Sequence, residues 1–346
     1  MEYREYKLKE IMYNFKYGTM PKKEKIKSFE EGKYPIYTGY LISGYYDECN
    51  IENETLIVVA RGVGGTGDVK LTTKKCFLTN LSIAMFNDEK IVSNKYLYYY
   101  FKIHNLRYLD SGSAQSQITI NDLKNVKVPV PKRDIQDKIV KILSQLDIKI
   151  KLNNQINDNL YKIIKTQYDK FINNIDEYEL VKLKDIANIG SGKRPKIKGN
   201  DFNIPLIGAS GVMAYTDNYN FNEDILIIGR VGTLGAVQRY FDKIWASDNT
   251  LTIKTEFSSA VECYLKTVDY ISLNRGSTQP LITQTDISNL ELKFNKLKFG
   301  EFENQIRPLR DKIYKNELQN ETLEQLRDTL LPKLMNGEID LDKIEI

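Results

Sequence analysis

Two turns of this sequence concentrate positive charge. Residues 22–27 carry Lys22, Lys23, Lys25 and Lys27 against one acid, Glu24, and residues 193–198 carry Lys193, Arg194, Lys196 and Lys198 with none. Cations on a loop suit a phosphate backbone, although a lysine cluster is also the ordinary composition of a solvated face. Arg61 and Arg230 each end an apolar run and open a glycine-rich turn, GVGGTG or VGTLG. A guanidinium among turn amides can grip a phosphate or read guanine; the plain alternative is an arginine bridging a tight turn. Ser113 and Gln115 in GSAQ, and Ser277 and Gln279 in GSTQ, offer short donors and acceptors. Glutamine pairs bidentately with adenine and serine touches phosphate or base, against turn chemistry that only connects two elements. Asn80 and Asn249 are read in the same two ways, as contacts or as strand-end caps.

Catalytic constellations fail on inspection. A phosphate-binding P-loop needs glycine five residues before its Gly-Lys pair and Ser or Thr after it, but Gly192-Lys193 has Ala187 before and Arg194 after. Asp286, Glu291 and Lys293 have the acid-x-lysine spacing of a metal nuclease, yet Lys127 stands in the first half where Glu291 stands in the second. Cys49, Cys76 and Cys263 are odd in number and far apart, which suits buried apolar side chains better than a disulfide or zinc site. The one histidine, His104, cannot build a metal cluster and reads as a structural imidazole. Tyr96 to Tyr100, the run YLYYY, sits in an apolar helical pattern and reads as core before it reads as a stacking platform.

With 346 residues, 41% hydrophobic and 28% charged, the chain has the size of two domains and the composition of a soluble globular protein. The net charge of +4 is modest, so the distribution of charge says more than its total. No apolar run approaches the roughly 20 residues of a membrane helix. The charged start MEYREYKLKE argues against a secretory signal, so a cytoplasmic protein is expected.

These turns recur because the chain is written twice. Lys7-Leu8-Lys9-Glu10-Ile11 matches Lys182-Leu183-Lys184-Asp185-Ile186, and the turn from Gly18 matches the one from Gly190. NETLIVVARGVGGTGDV from Asn53 matches NEDILIIGRVGTLGAV from Asn222, pairing Arg61 with Arg230, Gly67 with Gly235 and later Asn80 with Asn249. GSAQSQITINDLKNVKVPVP, residues 112–131, matches GSTQPLITQTDISNLELKFN, residues 276–295. The offset drifts between about 163 and 175 residues, as loop insertions in a duplicated domain produce.

Each copy opens with short apolar runs bounded by glycine, which predict buried strands, and closes on a helical segment with a seven-residue apolar period. The first period runs Ile139, Ile142, Leu146, Lys149, Asn153, Ile156, Leu160, Ile163; the second runs Ile306, Leu309, Ile313, Asn316, Asn320, Leu323, Arg327, Leu330. Both predict coiled-coil seams, with asparagines that fix register at a cost in stability. The helices are expected over 132–173 and 300–332, each about 50–60 Å long, and to pair antiparallel. Pro308 falls where it delays or kinks the second helix start. The expected fold is α+β: two similar mixed α/β modules, 1–131 and 179–298, each followed by a helical segment, 132–178 and 299–346, with a pseudo-two-fold repeat. Modules at the ends of such a rod would sit in DNA grooves at most roughly 15 base pairs apart.

The passage GSAQSQITINDLKNVKVPVPKRDIQDKIVKILSQLDIKI, with IGSGKRP and the ending LRDTLLPKLMNGEID, resembles the specificity subunit of type I restriction-modification enzymes over essentially the whole chain. The resemblance implies two target recognition domains, each reading half of a bipartite site in double-stranded DNA, and a helical spacer that sets the gap. It implies a subunit without chemistry or cofactor of its own, docking two methyltransferase subunits that use S-adenosylmethionine to methylate adenine N6, and serving a motor-nuclease subunit where one is present. Consistent with that, the chain has no Pro-Pro and hence no Asn-Pro-Pro-Tyr methyltransferase loop. The second copy departs from the pattern at LKFNKLKFGEFENQI, which lacks both prolines of Val128-Pro129-Val130-Pro131 and predicts a looser helix start. From another class of function, a coiled-coil scaffold with two protein-binding modules and no DNA contact fits the modest net charge.

Overall fold

The computed structural model describes residues 2–29, 31–39, 41–62, 65–110, 116–199, 201–276 and 280–341. It divides into two compact units, Met1–Leu152 with Gln319–Ile346 (unit 1) and Asn153–Leu318 (unit 2). These boundaries pass through both long helices, whereas the sequence reading set 132–178 and 299–346 apart as segments of their own.

Unit 1 begins with β1 (Tyr3–Lys7), α1 (Leu8–Ile11), β2 (Met12–Tyr17), β3 (Tyr34–Thr38) and β4 (Leu41–Tyr46). It continues with β5 (Leu56–Val59), β6 (Val69–Leu71), β7 (Phe77–Leu78), β8 (Ser82–Asn87), α2 (Asn94–Ile103), α3 (Ile120–Lys124) and β9 (Lys127–Pro131), and α4 spans Arg133–Asn173. Unit 2 repeats the order: β10 (Glu179–Lys182), α5 (Leu183–Ile186), β11 (Asn188–Ser191), β12 (Ile204–Gly208), β13 (Gly211–Thr216), one added strand β14 (Phe221–Asn222), and β15 (Ile225–Gly229). Then come β16 (Val237–Tyr240), β17 (Lys243–Ala246), β18 (Thr250–Lys254), α6 (Ser258–Leu265), α7 (Gln284–Ser288), β19 (Glu291–Phe294) and α8 (Lys296–Met335).

The sheets repeat as well. A four-stranded antiparallel sheet has the order β2-β8-β5-β6 in unit 1 and β11-β18-β15-β16 in unit 2. A smaller sheet is β4-β3-β7 in one and β13-β12-β17-β14 in the other, with β3 parallel to β7 and β12 parallel to β17. The runs LIVV and ILIIG are apolar without alternation because both faces of β5 and β15 are covered. Leu56 and Val58 face the helices with Ile83, Met85, Tyr96, Leu97 and Ile139, while Ile57 faces the smaller sheet with Tyr37 and Leu78. Leu226 and Ile228 face Val261 and Ile306, while Ile225 and Ile227 face Ile207 and Ile244.

The first turns of each long helix are tied to the preceding module by a buried side chain. Gln136 of α4, fully buried, accepts from the Ser93 backbone N–H at 2.9 Å and donates to the Ile91 and Pro131 carbonyls. Glu303 of α8 accepts from the Ala260 N–H at 2.8 Å, and burial raises the pKa of its carboxyl. The expected loose start of the second helix does not occur. α8 begins four residues before Gly300, with the Asn295 side chain accepting the Lys298 N–H as an N-cap, and it runs unbroken through Pro308.

The helix pairing is antiparallel within each unit. In unit 1 Asp147 of α4 meets Arg327 of α8 at 3.1 Å, and the Lys138 ammonium reaches the Leu341 carbonyl further along in the opposite sense. In unit 2 Asn157 meets Asn316, Tyr168 meets Phe302 and Phe171 meets Phe299. The α8 seam follows the expectation: Ile306, Ile313, Asn316 and Asn320 are buried and Leu309, Leu323, Arg327 and Leu330 half-buried. The α4 seam needs correction at every second position. Ile139 and Asn153 are buried, with Ile142, Leu146 and Leu160 half-buried, but Leu143, Ile150, Asn157 and Ile164 are the buried positions beside Ile142 and in place of the exposed Lys149, Ile156 and Ile163. Ile156 is 39% and Ile163 45% exposed. A heptad admits a four-residue step before or after its three-residue step, and only the partner helix decides which.

Cys76 and Cys263 are buried, their thiols pushed up by burial to about 11 and about 12, while Cys49 is half-exposed and donates to Glu52. His104 caps α2, stacked on Tyr100 at 4.2 Å. Tyr96 and Tyr99 are core, their hydroxyls donating to the Pro129 carbonyl and to Asp147. None of the described helices is long and apolar enough to cross a membrane.

Candidate nucleic-acid interface

In both units the basic turn leaves the edge of the larger sheet and is pinned at once to the turn between β7 and β8 or between β17 and β18. Gly18 N–H donates to the Ser82 carbonyl and Thr19 N–H to Leu78, as Gly192 N–H donates to Thr250 and Lys193 N–H to Ala246. The passage is too tight for a side chain: a Cβ on Gly18 would lie 2.2 Å from the Thr79 carbonyl oxygen, and one on Gly192 2.0 Å from that of Ser247. The matching glycine of the second copy is therefore Gly192, not Gly190, which lies within β11.

An asparagine braces the same turn in each unit. Asn50 accepts from the Leu78 N–H and donates to its carbonyl at 2.7 and 2.9 Å, and Asn220 does the same to Ala246 at 2.8 and 3.0 Å. The sequence reading missed these two positioning residues, although CNIENE and YNFNED present them at equivalent places.

The pairing of Arg61 with Arg230 also shifts. Ala60 N–H donates to the Leu81 carbonyl and Ala60 O accepts from Ile118; the residue making those two bonds in unit 2 is Arg230, with Asn249 and Ile282. Arg61 corresponds instead to Val231, since each forms the next bridge, to Gln117 and Leu281 respectively. By the same register Leu81 corresponds to Asn249, and Asn80 to Asp248. Gly67 and Gly235 do correspond, both at positive φ, with a Cβ meeting Arg107 backbone or the Tyr270 ring. A slip of one residue at a strand end turns the side chain to the other face. Arg61 is accordingly exposed, whereas Arg230 is half-buried and its Nε finds no partner among the described residues.

In unit 2 these parts converge on a cleft of about 490 Å³ lined by Arg194, Lys196, Lys198, Met213, Asp248 and Asn249. Lys193 stands beside it, its carbonyl held by the Trp245 indole N–H at 2.6 Å. None of Lys193, Arg194, Lys196 and Lys198 makes an ion pair among the described residues. In unit 1 the turn is compensated: Lys25 lies 3.4 Å from Glu48, and Lys27 lies 2.6 Å from Asp47. The hydrogen bond to Asp47 raises the Lys27 ammonium pKa and lowers that of the Asp47 carboxyl. Lys22 and Lys23 are exposed without an ion pair among the described residues, and Asn80 is half-buried.

Ser113, Gln115, Ser277 and Gln279 lie outside the described residues. The stems of their loops are built alike, each joined to the strand end that bears Ala60 or Arg230. The phrase ITIND or ITQTD then closes a capping box, Thr119 with Asp122 and Thr283 with Asp286, which starts a short helix. Asp286 is further held by Arg275 at 2.6 Å, and this hydrogen bond takes its carboxyl down to about 2. Glu291 and Lys293 stand on β19, with the Lys293 ammonium over the Tyr178 ring.

The family model for the type I restriction modification DNA specificity domain matches residues 1–162 and again 175–326. The type I restriction enzyme MjaIX specificity subunit of Methanocaldococcus jannaschii is 24% identical over 306 residues, 73% of this chain and 71% of the relative. The MjaVIII specificity subunit of the same organism is 29% identical over 189 residues, 47% of this chain and 44% of the relative. In fold, the chain is similar to the crystal structure of the type I restriction-modification system S subunit from M. genitalium, with a TM-score of 0.71, 21% identity and 96% of each chain covered. With its domain matched twice along the sequence and its architecture found in a solved S subunit, the chain belongs to the specificity-subunit family of type I restriction-modification enzymes.

Proposed function

We propose that this chain reads a bipartite site in double-stranded DNA, one half-site per unit, and performs no chemistry itself. The observation that carries this reading is that two units of one topology present the same strand end, braced turn and basic loop with different side chains on them, Ala60 against Arg230 and Leu81 against Asn249. A shared frame with altered side chains is what two half-sites of different sequence require. Methylation then belongs to two docked methyltransferase subunits, which bind S-adenosylmethionine and modify adenine N6; a motor-nuclease subunit joins in a complete restriction system. Ile148 and Leu152 in unit 1, and Ile156 and Ile163 in unit 2, leave apolar surface exposed along α4, and this supports α4 as a docking element.

The test is to co-express the chain with its neighbouring methyltransferase subunit and map N6-methyladenine in the host DNA by single-molecule sequencing. Methylation at one two-part motif with a constant gap is expected. Methylation unrelated to sequence, or none from an assembled complex supplied with S-adenosylmethionine, would sink the reading and favour the scaffold.

A further inference from the structure

The two units are built alike but charged unlike. In unit 2 the turn cations Arg194, Lys196 and Lys198 line the cleft with one carboxylate, Asp248, Lys193 precedes them on the same turn, and no ion pair holds any of the four among the described residues. Arg230 adds a fifth cation without an ion pair among the described residues, at the adjoining strand end, where its backbone N–H donates to the Asn249 carbonyl at 3.0 Å. In unit 1 the four turn lysines stand beside Glu24, Asp47 and Glu48, and two of the four are already paired, at 2.6 and 3.4 Å. Ala60 occupies the place of Arg230.

We propose that the units divide the work on DNA: unit 2 is the electrostatic anchor on the phosphate backbone, and unit 1 contributes its half of the recognition with little counterion release. The proposal rests on the DNA-reading function above. A lysine held by a carboxylate has to give up that partner to take a phosphate, so its net gain is small. A free one releases a condensed counterion and deepens the salt dependence by about 0.9 in the slope of log affinity against log salt. The unit 2 cleft is therefore worth about three to four such contacts and the unit 1 turn about one to two. Unit 2 consequently engages first and survives at higher salt.

The experiment measures binding of the assembled complex with its methyltransferase subunit to a duplex carrying the mapped site, by fluorescence anisotropy from 50 to 300 mM salt. Three complexes are compared: the parent, one with Lys193→Gln, Arg194→Gln, Lys196→Gln and Lys198→Gln, and one with Lys22→Gln, Lys23→Gln, Lys25→Gln and Lys27→Gln. The unit 2 variant is expected to lose at least one unit more of slope than the unit 1 variant. Equal losses, or a larger loss from unit 1, overturn the proposal while leaving DNA recognition intact. A parent complex with no salt-dependent affinity overturns the DNA-reading function as well. Asp47→Asn with Glu48→Gln checks the mechanism without removing a cation: it frees Lys25 and Lys27 and should steepen the slope, and an unchanged slope counts against the proposal.

Discussion

Replacing Arg310 by leucine isolates the most heavily charged part of the unit 2 core. The Glu262 carboxylate, almost fully buried on α6, is held by Arg310 of α8 at 2.6 Å, Lys266 at 2.7 Å and Arg239 at 3.4 Å. Burial works to raise its pKa, but Arg310, Lys266 and Arg239 together keep it below the usual carboxylate range. Among the described residues unit 1 has no such cluster: seven residues beyond Gln136, where unit 2 has Arg310, stands the buried Leu143. Losing one partner of a buried ion pair costs roughly 3–5 kcal/mol, because the other charge is stranded. Lys266 remains, and Arg239 is shared with Asp224, so the lower end, about 3 kcal/mol, is expected for Arg310→Leu. The assay is urea unfolding followed through the fluorescence of Trp245, the only tryptophan and a residue of unit 2.

The pH dependence fixes the sign. In the parent the depressed folded pKa makes the Glu262 contribution full above the unfolded value of about 4.3, and it is lost as pH falls through the folded value. In the variant burial prevails and the folded pKa rises above about 4.3, so the penalty is present at neutral pH and shrinks as pH falls toward 4. Adding Glu262→Leu should recover at least half of the loss. A cost below about 1 kcal/mol at pH 7, or one that does not change between pH 7 and 4, would refute the reasoning.

Four further variants read out in the same assay. Asn316→Leu removes the amide that donates to Asn157 at 2.7 Å and should cost about 1–3 kcal/mol by leaving a buried amide unsatisfied, whereas Asn157→Leu with Asn316→Leu should return the midpoint to the parent value or above. Gly192→Ala forces a Cβ against the Ser247 carbonyl and should lower the midpoint and weaken DNA binding, while Gly300→Ala, in open space within α8, should stabilise by up to about 1 kcal/mol.

The duplication, the order of elements and the α8 seam were legible because strand runs, glycine turns and heptads are local patterns. What was not legible depended on contacts between distant segments. Matching Arg61 to Arg230 follows letter identity, but the hydrogen bonds from Ile118 and Ile282 give the register, and they place Ala60 opposite Arg230. Ile156 and Ile163 are as apolar as Ile150 and Ile164, so only the packing against α8 decides which are buried. The charge balance of the unit 1 turn is not legible for the same reason: Asp47 and Glu48, which pair with two of its four lysines, lie some 20 residues downstream and arrive there on the bend after β4.

The division of the chain into units has a consequence for its synthesis. Unit 2 is one continuous stretch, but unit 1 is made of both ends, and its core takes Leu331, Leu334, Met335 and Leu341 from the last part of the sequence. The module that leaves the ribosome first is thus the last to be finished. Between its two parts lie about 170 residues, which at about 5–20 residues per second amount to roughly 8–35 s. Throughout that interval Ile139 and Leu143 have no partner helix to bury them, while unit 2 can already close. The nascent chain therefore offers chaperones and proteases the earlier-made of the two modules, and a stop after Leu331 would damage unit 1 rather than unit 2 beside it in sequence.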